Sequence, residues 1–68
     1  MFWHDINSKM LRRVAYDPLR NEMHAEYPNG ATYIYDGVTP MEFAGFLASQ
    51  SKSSYFLSHI RPKEYRHA

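Results

Sequence analysis

The chain has 68 residues, no cysteine and a formal net charge of +1 at pH 7. A chain this short buries only a small core, and the lack of cysteine excludes a disulfide framework or a thiolate metal site as added stabilisation. Because 16% of its residues are aromatic, we expect an aromatic-rich core, with self-association as the other open source of stability.

The first residues give no sign of export. Met1 to Asp5 contain neither the basic segment nor the long apolar run of a signal peptide. No apolar stretch approaches the roughly 18 residues that a membrane-spanning helix needs. The sequence therefore predicts a cytoplasmic protein without a membrane partner.

The first predicted strand runs from about Met10 to Asp17. Its apolar residues Leu11, Val14 and Tyr16 fit either a helical stripe or a bent strand, because short apolar runs do not separate the two. The adjacent proline at position 18 disfavours helix at Asp17, and two strands follow. We therefore interpret the segment as a strand.

The sequence Pro28-Asn29-Gly30 predicts a hairpin loop between the next two strands. A three-residue loop, with Gly30 in the left-handed conformation, would pair Tyr27 with Ala31. A two-residue loop would instead pair Tyr27 with Thr32 and flip every later side chain to the other face. The three-residue loop separates charge from apolar surface better. It puts one set of side chains toward the core (Met23, Ala25, Tyr27, Tyr33, Tyr35) and another on an open face (Glu22, His24, Glu26, Thr32, Ile34, Asp36).

Two short helices are predicted after the hairpin. Thr39-Pro40-Met41-Glu42 is a capping box, and Phe43 and Phe46 follow at helical spacing. A second helix begins at Ser51 and ends before Pro62. The predicted fold is α+β, a three-stranded antiparallel meander with two short helices packed on one face.

The C-terminal segment is the most basic part of the chain. Four cations follow Ser51 against the single acid Glu64: Lys52, Arg61, Lys63 and Arg66. Such a patch is typical either of a solvated helix face or of a site that binds the phosphates of a nucleic acid. Arg61 is the best single candidate, because the neighbouring apolar residue would anchor its stem and leave the guanidinium free.

Aromatic residues offer a second kind of site. Phe2 and Trp3 either pack on the domain's own core or form an exposed anchor for a protein partner, and Ile34 is predicted to lie exposed on the open face. Tyr33 and Tyr35 are predicted to be core residues rather than a platform on which bases stack.

No catalytic arrangement can be read. The four histidines (His4, His24, His59, His67) are predicted to be surface residues without metal-ligand spacing. We therefore expect neither an enzyme nor a cofactor.

The order of several short motifs resembles the KTSC family, domains found at the C-terminus of some lysyl-tRNA synthetases and as single-domain proteins. The matching residues run from Ser8 to Tyr65 and include Tyr16-Asp17, Tyr33-Ile34-Tyr35 and Ile60-Arg61. Ser53 stands where the family usually has glycine, and Met1 to Asn7 lie outside the resemblance. Residues 1–68 are thus predicted to form a single KTSC-like domain with an extension at 1–7.

The resemblance implies two alternative functions. Attachment to synthetases suggests an RNA-binding accessory, which favours the four C-terminal cations as the site. The single-domain members look like phage or prophage proteins, which suggests binding to a host protein through Phe2, Trp3 and Ile34. Fold and family are associations, so the function must be argued from a site. Nothing in the sequence decides between a monomer and a homodimer.

Overall fold

The computed structural model describes residues 1–68 and contains one five-stranded antiparallel sheet whose strands lie in chain order. The strands are β1 (Trp3–Asp5), β2 (Arg13–Asp17), β3 (Glu22–Glu26), β4 (Thr32–Tyr35) and β5 (Tyr65–His67). Between β4 and β5 lie α1 (Pro40–Ala48) and α2 (Lys52–Tyr55), which continues as a π-helical segment (Phe56–Ile60). None of the helices has the length and apolar character needed to cross a membrane.

The α+β class is confirmed, but the prediction of three strands is wrong. The two missed strands have three residues each and pair at the edges, where Trp3 lies opposite Ala15 and Tyr65 opposite Tyr35. Three residues are too few to show an alternating apolar and polar pattern. These two strands form because they pair with longer neighbouring strands. The first predicted strand also begins later, at Arg13 instead of Met10.

The late start of β2 follows from a tight loop. Asn7 has a φ of 54°, and the Ser8 hydroxyl accepts hydrogen bonds from the backbone N–H groups of Met10 (3.2 Å) and Leu11 (2.9 Å). A serine hydroxyl that captures nearby backbone donors competes with strand pairing. Leu11 therefore lies in this loop and not in a strand, although its side chain is fully buried in the core.

The three-residue hairpin loop is confirmed. Gly30 has a φ of 90°, the Tyr27 N–H donates to the Ala31 carbonyl at 2.8 Å, and Tyr33 lies opposite Ala25. Since side chains alternate along each strand, this register fixes both faces of the sheet as predicted.

The helices cover one face of the sheet. The capping box is present, because the Thr39 hydroxyl accepts from the Glu42 N–H at 3.1 Å and the Glu42 carboxylate accepts from the Thr39 N–H at 3.0 Å. Phe43 and Phe46 of α1 are buried against the sheet. The Tyr55 ring covers Gly45 so closely that a Cβ at position 45 would lie 2.5 Å from the tyrosine oxygen.

Ion pairs close the other face of the sheet. Arg66 on β5 reaches both Glu22 and Asp36 with nitrogen–oxygen distances of 2.9 Å, and Arg13 pairs with Glu26. Glu22 and Glu26 are consequently only 9% and 8% exposed. The predicted open acidic face is therefore neutralised by the protein's own arginines.

Candidate nucleic-acid interface

The structure separates the four C-terminal cations instead of gathering them into one patch. Arg66 is held in the ion pairs of the sheet, and the Lys63 ammonium lies 3.2 Å from the Glu42 carboxylate. Lys52 donates to the Ser49 carbonyl at 3.2 Å. Arg61 is exposed and has no carboxylate partner within 4.0 Å.

The same distinction applies to all eight lysine and arginine residues. Five of them pair with carboxylates: Arg12, Arg13, Arg20, Lys63 and Arg66. The three that do not are Lys9, Lys52 and Arg61. Unpaired cations keep their electrostatic field for an external anion, so these three define the basic surface that a partner would meet.

Arg61 lies at a cavity of about 310 Å³ that we call the tyrosine pocket. The pocket lies on the helix side of the sheet and is lined by residues of the β3–β4 hairpin, of the last two strands and of the segment after the π-helix: Tyr27, Asn29, Ala31, Tyr33, Tyr35, Arg61 and Tyr65. No acidic residue lines it. The hairpin register puts Tyr27, Tyr33 and Tyr35 on this face, and strand β5 adds Tyr65 through its pairing with Tyr35.

The tyrosines of the pocket differ in role. Tyr35 is 2% exposed and packs edge-to-face on Phe56, so its predicted place in the core is confirmed. Its hydroxyl lies 2.6 Å from that of Tyr27. Burial, followed by the hydrogen bond with Tyr27, raises the pKa of Tyr35 far above its usual value, which keeps the hydroxyl protonated.

The outer wall of the pocket is aromatic and accessible. The Tyr33 and Tyr65 rings are nearly parallel, with an interplanar angle of 18° and centroids 5.4 Å apart. Tyr65 is 59% exposed, whereas Tyr33 is half-buried and packs against the core from the predicted face of the sheet. An exposed ring face beside a free guanidinium suits a planar anionic ligand.

A second depression, the hairpin cleft, adjoins the pocket. It measures about 560 Å³ and is lined by Lys9, Met10, Tyr27, Pro28, Asn29 and Ser53. Tyr27 and Asn29 line both depressions, so the two are neighbours at the hairpin loop, and we refer to them together as the groove. Lys9 stands in one part of this groove and Arg61 in the other, while Ser53 contributes to the cleft wall.

The aromatic residues of the N-terminus divide between the two predicted roles. Trp3 packs on the protein, with the Arg13 guanidinium 4.4 Å from its ring centroid and His24 in edge contact. Phe2 is 74% exposed. Ile34 lies on the predicted face but is only 9% exposed, so the expectation that it is a free apolar residue is wrong. The cause is the paired strand β5, which lies beside it.

The histidines also divide. His59 and His67 are exposed as predicted, whereas His4 and His24 are half-buried against Phe43 and Trp3 respectively. The edge strand β1, which the sequence did not reveal, brings these rings together. No group of three or more potential metal ligands lies close together.

The sequence predicted that the Arg61 guanidinium is free, as the structure shows, but it did not predict which residues surround it. The alternation of the hairpin had already put Tyr27, Tyr33 and Tyr35 on one face, which was an available signal for the inner wall. Tyr65 could not be placed, because strand β5 was not predicted. Lys9 lies in a loop far in sequence from Lys52 and Arg61, and only the fold brings it near the hairpin.

Comparisons with known proteins agree on the family and the fold. The sequence model of the KTSC domain matches residues 7–65. A protein of Stutzerimonas stutzeri described as uncharacterized is 31% identical over 62 residues, which cover 91% of this chain and 87% of the relative. A protein of Tsukamurella paurometabola is 28% identical over 58 residues, covering 85% of this chain and 87% of its own. The crystal structure of a KTSC domain protein from Yersinia pestis superposes with a TM-score of 0.90 over 98% of this chain and 96% of the other, at 22% identity.

Proposed function

This chain belongs to the KTSC domain family, and from that premise we propose that it is a non-catalytic binding module for single-stranded RNA. The ligand lies in the groove formed by the tyrosine pocket and the hairpin cleft. The single observation that carries the proposal is the position of Arg61, an unpaired guanidinium at a pocket lined by tyrosines and by no acid.

The charges around the groove support a nucleic-acid ligand. Lys9 and Arg61 both line the groove, and Lys52 precedes Ser53 of the cleft wall. These are the three cations that no carboxylate neutralises. Phosphates of a strand that follows the groove would meet them in turn, while an unstacked base would lie against the tyrosines.

The tyrosine pocket, and not the opposite face of the sheet, is the place for a base. The opposite face presents alternating arginines and glutamates that already satisfy one another. A single-stranded ligand also fits better than a duplex, because a base inside a helix cannot reach a pocket. Binding to RNA is consistent with a cytoplasmic location, which we retain as part of the proposal.

The proposal is tested by titrating a fluorescently labelled single-stranded RNA octamer and a tRNA at low and moderate salt. Affinity should fall with salt, with a slope of about −0.7 for each phosphate contacted. Arg61→Gln should weaken binding about tenfold, typical of losing a charged hydrogen bond, and should reduce that slope.

Arg20→Gln is the matched control. Arg20 is also an exposed arginine, but it lies in the β2–β3 turn at the opposite end of β3 and pairs with Asp17. It should bind RNA like the parent. If neither RNA binds in the micromolar range at low salt, or if Arg20→Gln weakens binding as much as Arg61→Gln, the proposal is wrong.

A protein-interaction module, such as a phage-encoded modulator of a host protein, is the second candidate. The observation that favours it is the contrast between Trp3, which packs on Arg13, and Phe2, which is 74% exposed beside an unpaired sheet edge. An exposed aromatic residue next to an open edge suits a protein that adds a strand to the sheet. Ile34 is 9% exposed beside Arg66, so it would contact a partner only after the ion pairs of Arg66 have opened.

This second function predicts a discrete partner in a host lysate, retained after nuclease treatment and lost with Phe2→Ala. Leu19→Ala is a suitable control, since Leu19 is 96% exposed but lies in the β2–β3 turn. The partner could also be a second copy of the chain, and light scattering tests this by measuring whether the purified protein is a monomer or a dimer. A partner that is released by nuclease would support the RNA proposal instead.

A further inference from the structure

The tyrosine pocket offers several hydrogen-bond donors and no charged acceptor. The Asn29 side-chain oxygen already accepts from the Ala31 N–H at 3.0 Å, which leaves the amide NH₂ free to donate. The backbone carbonyls of Tyr27 and Ala31 are occupied by Gly30 and Tyr27 respectively. Arg61 adds a guanidinium, which has donors and no acceptor.

The hydroxyl pair at the base of the pocket adds one more donor. Tyr27 and Tyr35 together carry two hydroxyl protons, and one of these bridges the 2.6 Å between their oxygens. When Tyr35 is the donor in this bond, the other proton belongs to the half-buried Tyr27, which can donate it to a ligand. Because no carboxylate lines the pocket, a ligand's amino group would meet only neutral acceptors there, namely hydroxyl and carbonyl oxygens.

The dimensions restrict the ligand further. A cavity of about 310 Å³ is at the lower limit of small-molecule sites, which start at roughly 300 Å³. The nearly parallel Tyr33 and Tyr65 rings favour a planar group on the outer wall. A single planar base fits these conditions better than a larger ligand does.

From this arrangement we infer that the tyrosine pocket takes a keto pyrimidine nucleotide, uracil in RNA or thymine in single-stranded DNA, with the adjoining phosphate on Arg61. Uracil presents two carbonyl acceptors and no exocyclic amino group, so it matches the donors of Asn29 and of the tyrosine pair. Cytosine replaces one of those carbonyls with an amino group, and adenine has no carbonyl at all. The inference rests on the proposed function and adds base selectivity to it.

The experiment compares labelled octamers U8, C8, A8 and dT8 in the same titration. U8 should bind about fivefold tighter than C8, a factor typical of one hydrogen bond, and more tightly still than A8. Similar binding of U8 and dT8 would assign the site to the base alone, and tighter binding of U8 would assign it to RNA.

Asn29→Asp is the decisive variant. It keeps the oxygen that accepts from Ala31, so the turn is preserved, but it replaces the donating amide with an accepting carboxylate. The preference for U8 over C8 should fall below twofold. Tyr65→Ala should weaken all octamers, whereas Tyr65→Phe should bind like the parent; Tyr65 is 59% exposed, so both variants keep the core.

The outcomes separate this inference from the proposed function. Equal binding of U8, C8 and A8, or a U8 preference that survives in Asn29→Asp, overturns the base selectivity and leaves RNA binding in place. Octamer binding that Tyr65→Ala does not change overturns the placement in this pocket. Failure of every octamer to bind overturns both.

Discussion

Replacing Tyr35 with alanine tests the packing on which both faces of the sheet depend. Tyr35 is 2% exposed, contacts Phe56 edge-to-face with ring centroids 5.4 Å apart, and shares a hydrogen bond with Tyr27. Removing a buried aromatic side chain costs about 3–5 kcal/mol. A domain of this length has a total stability of roughly 3–10 kcal/mol, so Tyr35→Ala should lose a third of it or more.

Two further variants divide that loss into its parts. Tyr35→Phe keeps the packing but removes the hydroxyl, which should cost about 1 kcal/mol and lower Tm by about 4–8 °C. Tyr65→Ala removes the same side chain from the opposing strand, where it is 59% exposed, and should cost no more than about 1 kcal/mol.

Thermal and urea unfolding followed by circular dichroism measure all three variants. The expected order of stability is parent, then Tyr35→Phe and Tyr65→Ala, then Tyr35→Ala. A Tyr35→Ala protein that melts within a few degrees of the parent would refute the register of the hairpin and the assignment of the tyrosines to the helix side.

Three other perturbations test separate contacts. Gly45→Ala should lower the free energy of unfolding by about 1 kcal/mol, because the added methyl meets the Tyr55 ring. In a Tyr55→Leu background the same change should instead stabilise helix α1 by about as much, because alanine has the higher helix propensity. Urea titration of both pairs of proteins checks this reversal. The pKa of Glu42 is lowered, chiefly by the backbone hydrogen bond at the N-cap of α1. The contribution of Glu42 to stability is therefore complete above its usual pKa of 4.5 and is lost as the pH falls through the lower folded value. Glu42→Gln should flatten this part of a curve of Tm against pH. Arg66→Gln removes the ion pairs of β5 and should speed hydrogen exchange of the β5 amides, measured by NMR, while leaving those of β3 unchanged.

The central part of the fold was predictable because its signals are local. Pro28, Asn29 and Gly30 determine the hairpin loop, and the loop determines which side chains face the helices. The capping box at Thr39 similarly defines the start of α1. In both places the residues that give the signal lie within four positions of the structure that they specify.

The edges and the candidate site were less predictable because they depend on pairing between distant segments. Strand β5 lies 30 positions from its partner β4, and its three residues are all exposed, so no apolar pattern marks it. Arg66 looked like a free cation because its partners Glu22 and Asp36 are distant in sequence. Arg61 was identified correctly as free, but the pocket beside it required Tyr65 of the same unpredicted strand.

The order of the strands along the sheet has a consequence for how the protein folds. Each strand pairs only with its neighbours in the chain, and the hairpins from β1 to β4 close through short loops. Contacts between nearby segments form quickly because little loop entropy is lost. Strand β5 follows both helices, and its residue Tyr65 pairs with Tyr35 across 30 positions, so closing this pair costs more loop entropy than closing any of the hairpins. The tyrosine pocket takes Tyr65 of its outer wall from this strand, so the pocket depends on the strand pairing with the largest loop-closure cost in the sheet.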